Sequence, residues 1–392
     1  MMSHVRNRVR PGRRIPEFLA VGAGMVAVLA TACGTATPRP SASSTSGVTT
    51  PSPSPSATPM PATTTFKVLI VRETGVDSWT LDLYDSATQK TSTIPTVDLA
   101  PDPARFASAG RISYMTSAGH LVSQNLDGSG RRVEVAIPIL QYGWEPDGSL
   151  AYTTDTGVEG GKLVIRPAHG ASTTVDLGMG TGYPWTDLQS KVQFSPDGKL
   201  VLGVQFAYNN PDHLQSPTVT LQVRRLDGTL AFEPPGSATE GEFSGGCRDV
   251  TMAAWGPDGK LYFCDYRGIN VAVIDTGAVR TLKAATRWWD PDISPDGNAI
   301  FQTGTIVKAS SGPLRIQHGP LELLDTTTGA TLPGPQRADG TLARFVSPSV
   351  IWFYDGSNNA HMSTPILAYD RSTHTESQTG LTGWLTDLQL TG

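Results

Sequence analysis

One short motif recurs along the chain and decides its architecture. FSPDGKL occupies residues 194–200, and the variants WEPDGSL, WGPDGKL and ISPDGNA begin at Trp144, Trp255 and Ile293. Proline fixes the backbone at the first corner of a turn, aspartate accepts hydrogen bonds from nearby amides, and glycine tolerates the positive φ of a tight hairpin. Each copy therefore predicts a β-hairpin turn that follows a large apolar residue.

Alignment of the chain on the turn glycine gives seven registers, which begin at Leu99, Trp144, Phe194, Trp255, Ile293, Val346 and Leu388. A strand-like run follows each turn, and a second run usually ends in aspartate, at Asp85, Asp127, Asp227, Asp275, Asp325 and Asp370. Four short strands in units of about 38 to 61 residues, without a convincing helix, are typical of a β-propeller. We predict an all-β, seven-bladed β-propeller, with six blades as the alternative.

The end of the sequence predicts how the ring closes. WLTDLQLTG, at residues 384–392, matches WDPDISPDG, at residues 289–297, in its tryptophan, an aspartate, an aliphatic residue and the final glycine. It therefore resembles an inner strand, whereas the first repeat begins at Phe66 without one. We expect residues 384–392 to complete blade one by pairing with the strand at residues 67–72.

Residues 1–32 form a leader. Arg6, Arg8, Arg10, Arg13 and Arg14 precede the apolar segment FLAVGAGMVAVLATA at residues 18–32, the order found in secretory signals. The segment ends in LATAC, which resembles a bacterial lipobox and predicts lipidation of Cys33. An ordinary cleaved signal and an uncleaved anchor are the alternatives, and Arg13 and Arg14 leave Sec or Tat export open.

Residues 33–65 are rich in serine, threonine and proline and have almost nothing to bury. Such a segment cannot offset the entropy of ordering and predicts a disordered, partly polyproline tether. We therefore expect a lipid-anchored protein on the extracytoplasmic side of the cell membrane, with the propeller at residues 66–392. Whether the tether is glycosylated stays open.

Charge limits the partners of the mature chain. Without residues 1–32, the chain carries 25 basic and 34 acidic side chains, a formal charge of −9. Nucleic acids and anionic headgroups demand basic patches. We therefore expect no nucleic-acid partner, and contact with the membrane only through the lipid anchor.

The repeated S-P-D-G-K turns resemble the WD40-like repeat of TolB-type propellers, which also occurs in the propeller domains of prolyl-oligopeptidase-like proteins. The resemblance covers the repeats only. It implies the fold and not the function, because propellers carry out binding, scaffolding and several chemistries.

Long insertions predict a binding face on one side of the ring. They lie at residues 178–187, 206–218, 233–249, 303–320 and 355–365, all expected on the side opposite the proline turns, and function concentrates on such loops. Four aromatic residues enter the ring from that side and are candidates for a binding rim: Tyr183, Trp185, Trp288 and Trp384. The alternative is that each tryptophan packs between blades.

Three aspartates, Asp98, Asp292 and Asp387, each lie five residues before the turn-glycine position, so they occupy equivalent positions in their predicted inner strands. The same position holds Phe345 in blade seven. Clustered carboxylates suit Ca²⁺, so a cation site is one interpretation. The other is that each aspartate accepts a hydrogen bond from the backbone of the next blade. Apart from this possible Ca²⁺, no cofactor is expected.

Catalytic motifs are nearly absent from the sequence. There is no G-x-S-x-G, no H-E-x-x-H and no Walker-type glycine loop. With Cys33 lipidated, Cys247 and Cys264 remain, and an extracytoplasmic location favours a disulfide between them. A buried thiol at Cys264 is the alternative.

These observations favour a binding or scaffolding module for another envelope protein. The alternatives are a propeller enzyme of the lactonase or sugar dehydrogenase type and a sensor of a small envelope ligand. We lean against an enzyme. Only the aspartate cluster favours one, and no residue identifies the partner, the ligand or the oligomeric state.

Overall fold

The computed structural model describes residues 65–75, 78–100, 104–155, 161–176, 192–207, 218–234, 253–265, 268–284, 292–303, 321–335, 343–354 and 365–391. Within these residues the chain forms seven antiparallel sheets, so the predicted seven-bladed propeller is confirmed. The one helix in the described ranges is the 3-10 turn Ser108–Gly110. No helix in these ranges has both the length and the apolar character needed to cross a bilayer.

Blades one to four contain sixteen strands. Fifteen of them follow one another along the chain, and the sixteenth, which belongs to blade one, comes from the C-terminal end of the chain. Blade one contains β1 (Thr65–Gly75), β2 (Ser78–Asp85) and β3 (Lys90–Ile94). Blade two contains β4 (Arg105–Phe106), β5 (Arg111–Met115), β6 (Leu121–Asn125) and β7 (Arg132–Val135). Blade three contains β8 (Ile139–Trp144), β9 (Leu150–Asp155), β10 (Gly161–Arg166) and β11 (Thr173–Asp176). Blade four contains β12 (Gln193–Phe194), β13 (Leu200–Ala207), β14 (Thr218–Arg225) and β15 (Leu230–Phe232).

Blades five to seven repeat the same arrangement. Blade five contains β16 (Ala253–Trp255), β17 (Leu261–Asp265), β18 (Gly268–Val273) and β19 (Ala278–Ala284). Blade six contains β20 (Ala299–Thr303), β21 (Leu321–Asp325) and β22 (Thr331–Leu332), with a single bridge from Ile293 to Ile300 in the place of its inner strand. Blade seven contains β23 (Arg344–Phe345), β24 (Val350–Tyr354), β25 (Pro365–Asp370) and β26 (Thr375–Thr382).

The remaining strand, β27 (Trp384–Thr391), closes the ring by pairing antiparallel with β1. Lys67 pairs with Gln389 and Val68 with Leu388, which confirms the predicted closure. Leu385 is buried at this junction, and the hydroxyl of Thr386 donates to the carbonyl of Leu69 at 3.2 Å. Blade one is therefore built from both ends of the propeller sequence.

The turns form for the local reasons that the motif predicted. Between the inner strand and the next, the amides of Ser149 and Lys199 donate to Asp147 and Asp197 at 2.7 and 3.2 Å. The turn glycines have positive φ, for example 70° at Gly198. The aspartates that end the third strands act in the same way, since Asp127 accepts from the amide of Ser129 at 2.9 Å. Short-range hydrogen bonding thus sets both turns of a blade.

These turns share one side of the ring, which we call the turn face; it includes residues 145–149 and 126–129. The opposite side, the loop face, holds the connections between the second and third strands and between blades, including residues 116–120, 95–98 and 136–138. Because β1 begins at the turn end of its hairpin with β27, Thr65 lies on the turn face beside Thr391.

The core consists of seven buried apolar clusters among the described residues, one at each boundary between neighbouring blades. The boundary between blades seven and one buries Trp352, Tyr354, Val68, Ile70 and Leu385. Burial of each such side chain contributes about 1.5–3 kcal/mol. β27 contributes Leu385 to this cluster, together with the partly buried Trp384 and Leu388.

Candidate functional site

The channel ring is formed by one residue from the inner strand of each blade. In the order of blades one to seven, its members are Asp387, Arg105, Gly143, Gln193, Ala254, Asp292 and Arg344. Gly143 shows where the side chains of these positions point. A Cβ atom there would lie 2.5 Å from the carbonyl oxygen of Val192 in blade four, so the position faces the inner strand of the next blade.

The two aspartates of the ring make the same contact. Oδ2 of Asp292 accepts a hydrogen bond from the amide of Phe345 at 2.9 Å, from blade six to blade seven. Oδ2 of Asp387 accepts one from the amide of Phe106 at 2.7 Å, from blade one to blade two. Each carboxylate thus links two blades through a backbone amide, which is the second of the two interpretations offered by the sequence.

The charged members of the ring follow one another around the channel. Asp292, Arg344, Asp387 and Arg105 belong to blades six, seven, one and two, so acidic and basic side chains alternate. Burial raises the pKa of Asp387, while its hydrogen bonds and the charges of Arg105 and Arg344 act in the opposite direction. The arginines therefore help to keep a desolvated carboxylate ionised.

A cavity of about 240 Å³ opens in the channel and is lined mainly by residues of blades two to four. Its walls include Arg105, Glu145 and Gln193, together with Asp292 and Asp387. The guanidinium of Arg105 lies over the ring of Tyr142, 5.6 Å from its centroid. Gly143 and Ala254 are small, so this part of the ring leaves room that charged side chains would fill.

Glu145 reaches from the channel toward the turn of blade four, where a Cβ atom on Gly198 would lie 3.0 Å from its Oε2. Partial burial, followed by the charges of Asp147 and Asp197, raises the pKa of Glu145 to about 7. Like charges and desolvation both favour the protonated acid. This carboxyl group therefore titrates close to neutral pH.

We expect Glu145→Gln to stabilise the protein above pH 7 and to leave its stability unchanged near pH 4. The folded-state pKa lies above the unfolded value, so the stabilising contribution is complete below the unfolded pKa and is lost as the pH rises toward 7. The full pKa change corresponds to about 3 kcal/mol, which water screening reduces to about 1–2 kcal/mol.

Urea denaturation at pH 4, 6 and 8 measures this difference, and the exposed Glu73→Gln controls for the removal of a surface charge. Equal stability of wild type and Glu145→Gln at pH 8 would contradict the assignment.

A second cavity of about 440 Å³ lies on the turn face between blades five and six. Its floor includes Val271, Val273 and Val279, and its polar rim includes Lys260 and Arg280. The sequence analysis placed the candidate binding loops on the opposite face. The cavity forms where two blades meet, which a pattern within one repeat does not reveal.

The structure brings together two of the three predicted aspartates. Asp98 lies on the connection into blade two, where its Oδ1 accepts from the hydroxyl of Ser117 at 2.6 Å. The ring position in blade two belongs to Arg105, because the true turn glycine is Gly110, with a φ of 74°. The proline and aspartate after Leu99 had suggested a turn seven residues too early.

Blade seven needs a smaller correction, from Phe345 to Arg344. The amide of Val346 bonds to the carbonyl of Val350 at 3.0 Å, whereas Ser195 in blade four bonds to Leu200. The turn of blade seven is therefore one residue shorter, which displaces an alignment made on the glycine. This displacement hid an arginine of the ring.

Of the predicted aromatic rim, Trp384 lies in a described region. It begins β27 on the loop face and packs against the cluster that contains Ile70 and Leu385. Tyr183, Trp185 and Trp288 lie outside the described residues, as do Cys33 and Cys247. Cys264 lies in β17, and its disulfide stays a prediction. In the described part of the chain, no group of three or more His, Cys, Asp or Glu residues could hold a metal ion.

Comparison with solved structures finds proteins of low sequence identity. A putative 6-phosphogluconolactonase from Bacteroides fragilis matches with a TM-score of 0.51 and 12% identity, covering 86% of this chain and 100% of that one. TolB from Acinetobacter baumannii matches at 0.41 and 16%, covering 83% and 82%. The similarity to the first of these shows a shared fold and no more.

The tricorn protease also matches, with a TM-score of 0.46 and 13% identity, covering 80% of this chain. This chain spans only 34% of that protease. No protein-family model matches the sequence, and no curated protein does. At identities this low, similarity shows the architecture and leaves function to the residues of the site.

Proposed function

We propose that the chain is a lipid-anchored propeller on the extracytoplasmic side of the cell membrane, where it acts as a binding or scaffolding module for another envelope protein. The carrying observation is that the chain joins the ring on one face, while two connections that carry three exposed apolar side chains are hydrogen-bonded to one turn on the other. Thr65, the first described residue after the tether sequence, lies on the turn face. The loop face is therefore free of this attachment.

Three large apolar side chains are unusually exposed on the loop face. Val97 is 56% exposed, Ile137 is 51% and Leu140 is 49%. The turn at residues 116–120 is hydrogen-bonded to both segments that carry these side chains. Ser117 bonds to Asp98, next to Val97, and the amide of Ile139, between Ile137 and Leu140, bonds to the carbonyl of Gly119. Exposed apolar side chains on connections held to one turn favour a protein interface there.

The rival enzyme interpretation loses its main support. It depended on Asp98, Asp292 and Asp387 forming one site. The hydrogen bonds of Asp292 and Asp387 to the next blade give these carboxylates a structural role, and Asp98 bonds to Ser117 in a different blade connection.

Mild cross-linking followed by a pull-down from intact envelopes tests the proposal. We expect full-length lipidated protein to capture a stoichiometric protein partner, and Ile137→Asp/Leu140→Asp to reduce its recovery by about tenfold, since charges at an apolar interface oppose desolvation. Leu230→Asp is the matched control, because Leu230 is 46% exposed in the outer strand of blade four.

Partner recovery that is unchanged by the double substitution would contradict the assigned surface. Recovery of no stoichiometric protein by the wild type would contradict the scaffolding function itself.

A further inference from the structure

The channel cavity is lined in part by polar atoms that no described group of the fold satisfies. Arg105, Glu145 and Gln193 come from three consecutive blades and line this cavity together, and among the described residues one side-chain atom of Arg105 and one of Gln193 have no hydrogen-bond partner. Nε of Arg105 and Oε1 of Gln193 are buried. Unsatisfied buried polar atoms are rare in proteins and costly.

The aspartates of the ring show that an unsatisfied side chain is not a general property of the channel-ring position. Asp292 and Asp387 occupy the same ring position and give their carboxylates to the amides of Phe345 and Phe106. Gln193 occupies it in blade four without making such a bond to any described group. The fold thus satisfies one side of the ring and leaves the other side available.

We propose that this cavity binds a small zwitterion of the amino-acid type. Its carboxylate would lie on the guanidinium of Arg105, its ammonium group on the carboxylate of Glu145, and the amide of Gln193 would take a remaining polar group. Paired charge-assisted hydrogen bonds between guanidinium and carboxylate are among the strongest that proteins make. This site goes beyond the proposed protein interface, which lies on the loop face.

The size of the cavity restricts the ligand. A volume of about 240 Å³ equals the liquid share of about eight water molecules at ~30 Å³ each. It lies below the roughly 300–1,000 Å³ of pockets for drug-sized ligands. A single small metabolite fits such a space, whereas a folded segment of a protein partner, such as a helix about 10 Å across, does not.

The charges of the walls favour a ligand with both signs. A simple anion on Arg105 would also lie near Glu145, Asp292 and Asp387, which line the same cavity. A simple cation on Glu145 would share the cavity with Arg105. A zwitterion presents one charge to each and leaves neither wall group unpaired.

Proton release offers an independent readout. Glu145 faces Asp147 and Asp197 as well as the cavity, and burial with these charges raises its pKa to about 7. A bound ammonium group favours the ionised carboxylate. Binding near pH 7 should therefore release a proton, and the observed heat should depend on the ionisation enthalpy of the buffer.

Isothermal titration calorimetry on purified, detergent-solubilised full-length protein tests the proposal. The probes are glycine, L-alanine and L-serine as zwitterions, with acetate, methylammonium and D-glucose as single-charge and neutral comparisons. We expect at least one zwitterion to bind with proton release, and each comparison compound to bind at least tenfold more weakly.

Arg105→Gln and Glu145→Gln should each weaken zwitterion binding at least tenfold. Arg344→Gln is the matched control, because Arg344 holds the same ring position in blade seven outside the cavity wall, and it should change affinity less than twofold. Gln193→Leu replaces Arg105→Gln if that variant does not fold, with an expected loss of at least fivefold.

Three results would overturn the proposal. The first is the absence of binding heat from every zwitterion at about 20 mM, a concentration above the ~1 mM Kd of weak ligands. The second is binding of acetate or D-glucose as tight as that of the zwitterions. The third is unchanged zwitterion affinity in channel variants that fold.

Discussion

Deletion of residues 384–392 is expected to lower the Tm of the protein by at least about 10 °C or to prevent folding. The deletion removes β27, exposes the edge of β1 and uncovers the cluster that contains Val68, Ile70 and Trp352. Loss of a full strand approaches the whole stability of a typical domain, about 5–15 kcal/mol. Circular dichroism and differential scanning fluorimetry measure the effect.

A circular permutant separates the role of the strand from that of chain length. Thr391 pairs with Thr65, so a Pro-Asp-Gly turn joining them recreates the hairpin found in the other blades. We expect a chain that begins at Trp384, passes through this turn to Thr65 and ends at Thr382 to recover most of the lost Tm. A deletion variant that melts with the wild type would refute closure by β27.

The second large effect is expected from Asp387→Ala, which should lower the free energy of unfolding by about 3 kcal/mol. The substitution leaves the amide of Phe106 without its acceptor and removes the negative charge between Arg105 and Arg344. Asp387→Asn keeps an acceptor and loses only the charge, so it should cost less, about 1–2 kcal/mol.

Asp98→Ala is the matched control in urea denaturation. Its carboxylate is exposed and bonds to Ser117 rather than to another inner strand, so we expect a change within about 1 kcal/mol. If Asp98→Ala and Asp387→Ala proved equally destabilising, the inter-blade role of Asp387 would be wrong.

The sequence predicted the features that depend on local chemistry. The Pro-Asp-Gly turns and the aspartates that end the third strands were recognisable because each turn is satisfied by its own residues, as at Asp197 and Asp127. Blade two was misaligned because its turn retains only Gly110. A turn that lacks proline and aspartate carries little local signal.

The channel ring could not be predicted in the same way. Asp387 and Phe106 are 281 residues apart in the chain and meet only when the ring closes. The alternation of Asp292, Arg344, Asp387 and Arg105 therefore becomes visible only after every blade has its correct register. Errors in register, of seven residues in blade two and of one in blade seven, concealed two arginines, although two of the three aspartates were correctly singled out.

The junction of Thr65 with Thr391 also determines how the domain would experience a pull from the membrane. Tension in the tether would act along β1, which pairs with β2 on one side and β27 on the other. Hydrogen bonds in antiparallel pairs run across the strands, so such a force would shear both ladders together instead of unzipping one bond at a time. If the chain is anchored as proposed, the closing strand would therefore also add mechanical resistance at the point of attachment.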